Sequence, residues 1–245
     1  MRKAVKRTIH KLLGVAGYEL HRRPAVPDYP RLKDAIARLA ARGPDLFNTV
    51  IDVGASNGSW SRELMSGYPS ANYLLIEAQP VHEPVLKEFC TRHKNAQYVL
   101  AAAGESDGEI FFDASDPFGG LASHVPFEQH CIRVPMIAID SLVRQHNLAP
   151  PFLIKLDTHG FELPILRGAA RTLCDANALI IECYNFRIAP ECLLFYEMSQ
   201  DLERQGFRCM DMFDVLYRPY DQAFWQMDML FMRSSRPEFS YNGYR

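Results

Sequence analysis

Short runs of β-branched or apolar residues, most of them uninterrupted, alternate with amphipathic stretches along most of the chain. The apolar runs cover residues 49–53, 73–76, 97–102, 152–156 and 178–182. The amphipathic stretches, at helical spacing, cover residues 32–41, 60–66, 84–93, 163–173 and 193–205. Continuous apolar runs are typical of strands buried on both faces, and their alternation with helices is typical of βαβ units. The pattern therefore predicts an α/β fold, doubly wound around a mostly parallel sheet.

Two stretches interrupt this alternation. Residues 109–113 and 133–139 have the composition of strands and are joined by a loop that contains Gly119 and Gly120. They predict a β excursion between the third and fourth parallel strands. Residues 207–213 and 228–232 predict a closing pair of strands at the end of the chain.

The first 24 residues differ from the rest in charge. They carry a net charge of +6, which leaves −8 for the remainder. Val5, Ile9 and Leu12 recur at roughly helical spacing among the basic residues. We therefore expect a basic amphipathic extension over 1–24 and one domain over 25–245. A solvated or self-packed helix and a helix lying on an anionic membrane face both fit the extension.

Composition excludes several classes of protein. Hydrophobic residues make up 48% and charged residues 23%, which are ordinary globular values. The acidic main domain disfavours a nucleic-acid partner. The six cysteines form no CxxC pair, so they predict neither a zinc site nor a disulfide scaffold. No apolar run approaches the roughly 20 residues of a membrane span, and no signal-peptide cleavage site is recognisable. We expect a cytoplasmic protein, with peripheral membrane contact open.

A glycine-rich turn, Asp52-Val-Gly-Ala-Ser-Asn-Gly58, follows the first predicted strand. Glycines let the backbone approach a ligand, and the following helix offers free N–H groups. The turn lacks the Lys-Ser/Thr of a P-loop and the third glycine of the dinucleotide fingerprint. It suits a ligand without a pyrophosphate, with Gly54 and Ala55 under the methionine part of S-adenosylmethionine and Asp52 facing its ammonium group. A purely structural strand-to-helix turn is the alternative.

Glu77 ends the second predicted strand. A carboxylate there, about 20 residues beyond the glycine turn, can accept both ribose hydroxyls of a nucleoside. Ala78 beside it, Ala102 at the end of the third apolar run, and Asn57 of the turn complete the expected cofactor-binding set.

The fourth apolar run delivers Asp157 and His159 to the same carboxyl edge of the sheet, where ligands bind in such folds. A histidine is suited to taking a proton near neutral pH, and Asp157 can orient a substrate hydroxyl. We expect these two to be catalytic, with Glu182 and His124 as weaker candidates. Asp157, Glu182 and Asn185 could together form a magnesium site, but their spacing does not require one, so we expect no metal.

These motifs resemble the FkbM-type methyltransferases, a branch of the class I S-adenosylmethionine-dependent enzymes. The resemblance covers roughly residues 49–182, and its most specific block is residues 154–169, Ile-Lys-Leu-Asp-Thr-His-Gly-Phe-Glu-Leu-Pro-Ile-Leu-Arg-Gly-Ala. It implies a Rossmann-like sheet of seven strands with the last one antiparallel. It also implies S-adenosylmethionine as methyl donor and transfer usually to oxygen, often on a sugar or secondary metabolite.

Carried over by position, the resemblance implies specific roles for several residues. Asp52, Gly54, Asn57 and Gly58 match the cofactor loop, Glu77 matches the ribose acid, and Asp157, Gly160 and Glu162 match the motif after the fourth strand. The sequence departs from the family at His159, where a glutamate is frequent, and at the Ala78-Gln79 pair that follows the ribose acid.

Other functions remain open at this stage. A nucleotide-cofactor oxidoreductase is disfavoured by the missing third glycine. A methyltransferase-like module that binds the cofactor without turnover fits the same motifs. A nucleic-acid methyltransferase is disfavoured because the Asn/Asp-Pro-Pro-Tyr/Phe motif of base-flipping enzymes is absent from the sequence. We expect a small-molecule or glycan hydroxyl as acceptor and the segment 111–134 as the cover of the active site.

Overall fold

The computed structural model describes residues 29–245. Its helices are α1 (Leu32–Ala40), α2 (Ser59–Leu64), α3 (Glu83–Arg92), α4 (Ile139–Gln145), α5 (Glu162–Gly168), α6 (Ala170–Cys174) and α7 (Phe195–Arg204). Its strands are β1 (Thr49–Val53), β2 (Asn72–Glu77), β3 (Ala96–Leu100), β4 (Ala102–Ala103), β5 (Gly108–Asp113), β6 (Leu121–Ser123), β7 (Cys131–Ile137), β8 (Phe152–Leu156), β9 (Ala176–Tyr184), β10 (Phe207–Tyr217) and β11 (Phe224–Arg233).

Seven strands form the central sheet in the order β10-β11-β9-β8-β1-β2-β3. β8 is the middle strand, and β1 lies next to it and pairs in parallel with β2 and β8. β11 is antiparallel to both of its neighbours, β9 and β10. The predicted doubly wound sheet of seven strands with the last one antiparallel is therefore confirmed.

Side chains on the two faces of this sheet enter two separate apolar cores. Val50, Leu153 and Ile180 belong to the core that α1, α2 and α3 cover. Ile51 and Ile154 belong to the core that α4, α5 and α7 cover. β1 and β8 are buried along their whole length, which explains why their sequences are continuous apolar runs rather than alternating ones.

The predicted β excursion forms a second sheet of four strands, in the order β4-β7-β5-β6. The predicted third strand, 97–102, is divided between the two sheets. β3 stays beside β2, whereas Ala102 pairs with Met136 of β7. The chain turns at Ala101, whose N–H donates to the carbonyl of Glu77 at 2.9 Å. This turn brings buried alanines to the carboxyl edge of the central sheet.

The single helix predicted over 163–173 is also divided, into α5 and α6. The break lies at Ala169, which has φ −110°. It follows Gly168, whose backbone lies so close to Gly104 that an added Cβ would be 2.0 Å from that carbonyl oxygen. The helix therefore ends where it meets the second sheet.

The basic extension predicted over 1–24, with its possible membrane contact, lies outside the described residues. Within residues 29–245, no helix combines the length and the apolar character that crossing a membrane requires.

Candidate active site

A cavity lies at the carboxyl edge of the parallel strands, where β1, β2 and β8 end. Eight of the predicted site residues line it, namely Gly54, Ala55, Asn57, Glu77, Ala78, Ala102, Asp157 and His159. They come from four separate segments of the chain, and the parallel sheet brings them together because its strands all end at this edge.

Glu77 projects from the tip of β2 and is almost fully buried. One carboxylate oxygen accepts the backbone N–H of Ser56 at 2.7 Å, and the other accepts that of Gln79 at 2.8 Å. Each oxygen of a carboxylate can accept a second hydrogen bond. The glutamate is thus fixed in orientation and can still accept hydroxyl donors from the cavity.

Gly54 is required where β1 ends. Its φ is +73°, and a Cβ there would lie 2.0 Å from the carbonyl oxygen of Asp157. The close approach of the backbone after β8 therefore demands glycine, in addition to any ligand that passes over the turn.

Two residues expected at the cofactor do not line the cavity. The carboxylate of Asp52 is fully buried, accepts the Ser61 hydroxyl at 2.6 Å, and lies 3.2 Å from the Lys155 ammonium nitrogen. Asp52 is therefore held inside the fold by Ser61 and Lys155 and not at the wall of the cavity, where it was expected to face a ligand ammonium. Gly58 caps α2 in the left-handed conformation, and a Cβ there would contact Phe89 at 3.1 Å. Its role is to start the helix.

Lys155 is a site residue that the sequence motifs did not indicate. Its Nζ lies 3.2 Å from both Asp52 Oδ1 and Asp157 Oδ2 and donates to the Gly54 carbonyl at 3.1 Å. Burial alone would lower the pKa of Lys155, but the charges of Asp157 and Asp52 outweigh burial and raise it. The available signal was a lone lysine inside an otherwise apolar strand, because such a charge must be paired when the strand is buried.

The same ion pair determines the charge of Asp157. Burial acts to raise the pKa of this carboxyl, but the positive charge of Lys155 and the neighbouring His159 lower it below its usual value. Asp157 is therefore ionised at neutral pH.

A tight turn after β8 orients His159. His159 has φ +53° and Gly160 has φ +97°, which are left-handed conformations. The Glu162 carboxylate accepts the Gly160 N–H and the Thr158 hydroxyl, both at 3.0 Å. A histidine in the left-handed conformation costs roughly 1–3 kcal/mol and persists only where its surroundings hold it. Glu162 therefore shapes the turn that carries the imidazole.

Three polar side chains meet at the end of the cavity. His159 Nε2 lies 3.8 Å from Asp157 Oδ1 and 3.9 Å from Glu182 Oε2. The hydroxyl of Tyr184 and the side-chain amide of Gln226 both donate to Glu182. Ligand atoms of the three residues lie within 4.8 Å of one another, so they could hold a divalent cation.

Crowding of carboxylates changes the titration of this cluster. Burial first, and then the charge of Asp157, raise the pKa of Glu182 to about 9. Burial and the same charge raise the pKa of Asp228, which faces Glu182 from β11, to about 7. At neutral pH Glu182 is therefore protonated, and Asp157 is the ionised partner of His159.

The other two expected residues lie elsewhere. The ring of His124 is 5.9 Å from that of Phe161 and does not line the cavity. Asn185 donates its side-chain amide to the Phe224 carbonyl. Neither joins the cluster around His159.

The segment expected to cover the active site contributes one wall of the cavity through Pro117 and Phe118. Gln79 donates to the carbonyls of Asp116 and Pro117 at 3.0 and 3.1 Å. His82 Nε2 lies 2.7 Å from the same Pro117 oxygen. Gln79 and His82, which follow Glu77, therefore hold the covering loop in place, a role that the sequence did not indicate.

Comparison with known proteins gives a family match. The family model described as the methyltransferase FkbM domain matches residues 52–209, from the end of β1 into β10. Hexuronic acid methyltransferase AglP from Haloferax volcanii is 25% identical over 150 residues, which are 61% of each chain. The matched region thus spans less than two thirds of that relative's length.

Solved structures with similar folds include two methyltransferases. A methyltransferase FkbM from Methylobacillus flagellatus KT superposes with a TM-score of 0.48 at 16% identity, covering 75% of this chain and 44% of that one. Magnesium protoporphyrin IX methyltransferase from Synechocystis PCC 6803, solved with bound S-adenosylmethionine, gives a TM-score of 0.47 at 13% identity, covering 83% and 78% of the chains.

Removal of the buried lysine is expected to destabilise the fold. Lys155→Met leaves Asp52 and Asp157 without their counter-charge, and breaking such a pair typically costs about 3–5 kcal/mol. Urea unfolding followed by circular dichroism measures the change. Arg92→Met is the control, because the Arg92–Glu88 pair is exposed and contributes at most about 1 kcal/mol. Equal losses in the two variants would contradict the assigned role of Lys155.

Glu182 makes stability depend on pH. Its folded pKa of about 9 lies above the ordinary 4.5, so its favourable contribution is complete below 4.5 and is lost as the pH rises towards 9. Glu182→Gln removes this titration. We therefore expect the variant to gain at least ~1 kcal/mol over the wild type between pH 5 and pH 8.5.

Urea unfolding at the two pH values measures this gain. The exposed Glu203→Gln on α7 is the control and should show no such gain. A difference between Glu182→Gln and wild type that stays constant with pH would refute the raised pKa.

Proposed function

The chain belongs to the FkbM methyltransferase family, and from this premise we propose that it transfers a methyl group from S-adenosylmethionine to a hydroxyl oxygen of a sugar or secondary metabolite. The observation that carries the proposal is that one cavity is lined both by the oriented carboxylate of Glu77 and by the His159–Asp157 pair. The first suits a nucleoside cofactor, and the second suits removal of a proton.

The residues of the cavity fit this cofactor. The Ser56 hydroxyl and the Trp60 indole N–H are buried and have no hydrogen-bond partner within residues 29–245, and both residues line the cavity. Unpaired buried donors are costly unless a ligand accepts from them, and a carboxylate such as that of the methionine part would do so. Glu77 would accept the ribose hydroxyls, and the small side chains of Ala78 and Ala102 leave room beside it.

When bound, the cofactor supplies a methyl group that is already activated for in-line displacement. The protein then has to position the acceptor and remove its proton. His159 Nε2 takes the hydroxyl proton, and the ionised Asp157 stabilises the imidazolium that forms. Lys155 keeps Asp157 ionised, and Glu162 holds the turn that aims the ring.

The charges around His159 favour an uncharged acceptor. Asp157 is ionised beside it, and the positive charge of Lys155 is already shared between two carboxylates. A carboxylate acceptor would meet repulsion at this end of the cavity, because like charges interact strongly where water is excluded. We therefore propose a hydroxyl as the methylated group.

Titration calorimetry with S-adenosylhomocysteine and NAD tests the cofactor. We expect binding of S-adenosylhomocysteine at micromolar concentration and none of NAD. Glu77→Ala should weaken binding at least 10-fold, because the ribose hydroxyls lose a charged partner worth roughly 1.5–3 kcal/mol. Glu88→Ala, at an exposed position on α3, should leave affinity unchanged. Binding of NAD alone would instead favour the oxidoreductase.

His159→Ala should reduce turnover by roughly 10²–10⁴-fold, as expected when a general base is removed. The affinity for S-adenosylhomocysteine should change less than 3-fold, because the ribose side is intact. His159→Asn is the matched variant, since asparagine tolerates the left-handed conformation but is no base. If Asn restored turnover, the backbone rather than the proton acceptor would explain the loss; equal loss of turnover and affinity would also contradict the assignment.

We propose that the reaction needs no metal, because Lys155 already supplies the counter-charge of Asp157. Activity should therefore be unchanged after dialysis against EDTA. Loss of activity in EDTA that Mg²⁺ or Mn²⁺ restores would assign a cation to Asp157, His159 and Glu182 instead.

A further inference from the structure

A row of contacting aromatic rings crosses the end of the central sheet at which β10 lies. The ring centroids of Tyr29 and Tyr217 are 5.9 Å apart, and Phe224 lies 6.2 Å beyond Tyr217. Phe195 follows at 5.7 Å from Phe224, and Tyr196, in the first turn of α7, at 5.4 Å from Phe195. The two phenylalanines are half-buried, whereas Tyr196 and Tyr217 are exposed. The surface of this row is therefore formed mainly by tyrosines.

The turn between β10 and β11 adds one more tyrosine. Tyr220 lies in this turn and is 91% exposed. We call Tyr29, Tyr196, Tyr217 and Tyr220 the tyrosine patch. β11 begins beside Tyr184, the last residue of β9, so the turn lies at the carboxyl edge of the central sheet. The patch and the cavity therefore share one edge of the molecule.

Charged side chains beside the patch neutralise one another. They form three arginine–carboxylate pairs, namely Arg31–Asp214 at 3.3 Å, Arg187–Glu197 at 2.6 Å and Arg218–Asp221 at 2.6 Å. Each pair has no net charge. The patch thus presents aromatic rings among acids that already have basic partners.

Positive charge reaches this place through the chain itself. Residues 1–24 carry a net charge of +6, and only four residues separate them from Tyr29. Such a link spans at most about 18 Å even when it is fully extended. The hydroxyls of Tyr29 and Tyr217 are 3.0 Å apart, and the Asp214 N–H donates to the Pro30 carbonyl at 2.9 Å. The basic segment is therefore tethered beside the tyrosine patch.

We propose that the tyrosine patch and the basic segment 1–24 together bind the surface of an anionic lipid bilayer. Tyrosine suits this interface because its ring is apolar and its hydroxyl stays hydrated. Basic residues are attracted by the negative charge of the headgroups. This docking is independent of methyl transfer, and it turns the carboxyl edge, with the cavity, towards the bilayer.

Two other occupants fit the patch less well. The segment 1–24 would find no unpaired charge in the three ion pairs beside the rings. A second copy that added a strand to β10 would meet Pro30, which already accepts the N–H of Asp214 on that strand. The lipid surface needs neither an unpaired acid nor a free strand edge.

Flotation of the full chain with vesicles tests the proposal. Phosphatidylcholine vesicles with about 30 mol% phosphatidylglycerol should bind at least 10-fold more tightly than phosphatidylcholine alone. About 0.5 M NaCl should remove most of this difference, because it screens the attraction. Tyr196→Ser/Tyr220→Ser should weaken binding to the anionic vesicles at least 10-fold.

The C-terminal tail provides a matched control. Tyr241 and Tyr244 are comparably exposed, but they follow the end of β11, which lies at the opposite edge of the sheet. Tyr241→Ser/Tyr244→Ser should therefore bind as the wild type does. Circular dichroism and Tm establish that both double variants are folded.

Brominated lipids locate the contact directly. Tyr220→Trp places a fluorophore on the patch, and Tyr244→Trp places one on the tail. In anionic vesicles that contain brominated phosphatidylcholine, the emission added by Tyr220→Trp should fall at least 2-fold. The emission added by Tyr244→Trp should stay unchanged.

Each failure has a distinct meaning. If Tyr196→Ser/Tyr220→Ser binds anionic vesicles as the wild type does, or Tyr220→Trp is not quenched, the patch does not contact lipid and the inference is overturned. Binding that is unchanged or stronger after deletion of residues 1–24 would equally overturn the role of the basic segment. A dimer that Tyr196→Ser/Tyr220→Ser dissociates, without vesicle binding, would assign the patch to a second copy. S-adenosylhomocysteine binding is measured without vesicles, so none of these outcomes decides the proposed function.

Discussion

The buried ion triad of Asp52, Lys155 and Asp157 is the interaction on which the site depends. It joins the ends of β1 and β8, the two central strands, through one ammonium group with 3.2 Å contacts to both carboxylates. Desolvation of three charges is expensive, and a buried pair is weak evidence for stability by itself. Here the arrangement has a functional consequence, because it leaves Asp157 ionised at the rim while Asp52 stays in the core.

The titration of the other acids nearby depends on burial and on that charge. Burial first, and then the ionised Asp157, raise the pKa of the neighbouring Glu182 and Asp228, so that both retain protons to higher pH. The carboxyl edge is thereby divided into two sides with different chemistry. Around Glu77 there are fixed acceptors and unpaired buried donors, which suit a nucleoside linked to an amino acid. Beyond His159 lie Glu182 and Asp228, two carboxyl groups whose raised pKa values keep negative charge low on this side.

Local sequence patterns were sufficient to predict the buried strands and two of the acidic residues that line the cavity. Continuous apolar runs identified the buried strands, and the strand-tip positions of Glu77 and Asp157 followed because parallel strands end at one edge. The glycine turn was recognised from spacing, but the reasons for its residues were not. Gly54 is needed for the approach of the Asp157 backbone, and Gly58 starts a helix over Phe89. A motif records which residue is present and not which neighbour requires it.

The sequence by itself determined the fold class, which depends on periodicity and chain order, while the antiparallel last strand was implied by its resemblance to the family. It also predicted the edge of the sheet at which the candidate site lies, since parallel strands end at one edge. Only the tertiary structure decided which acidic side chains face the cavity and which form hydrogen bonds and ion pairs inside the core. Asp52 and Asp157 each lie near a strand end, yet Lys155 and Ser61 bury the first, and the turn held by Glu162 exposes the second. The pairing of Trp225 with Phe186 likewise depends on the register between β9 and β11, residues 39 apart in sequence. Charge and contact are properties of neighbours in space, and those neighbours come from distant parts of the chain.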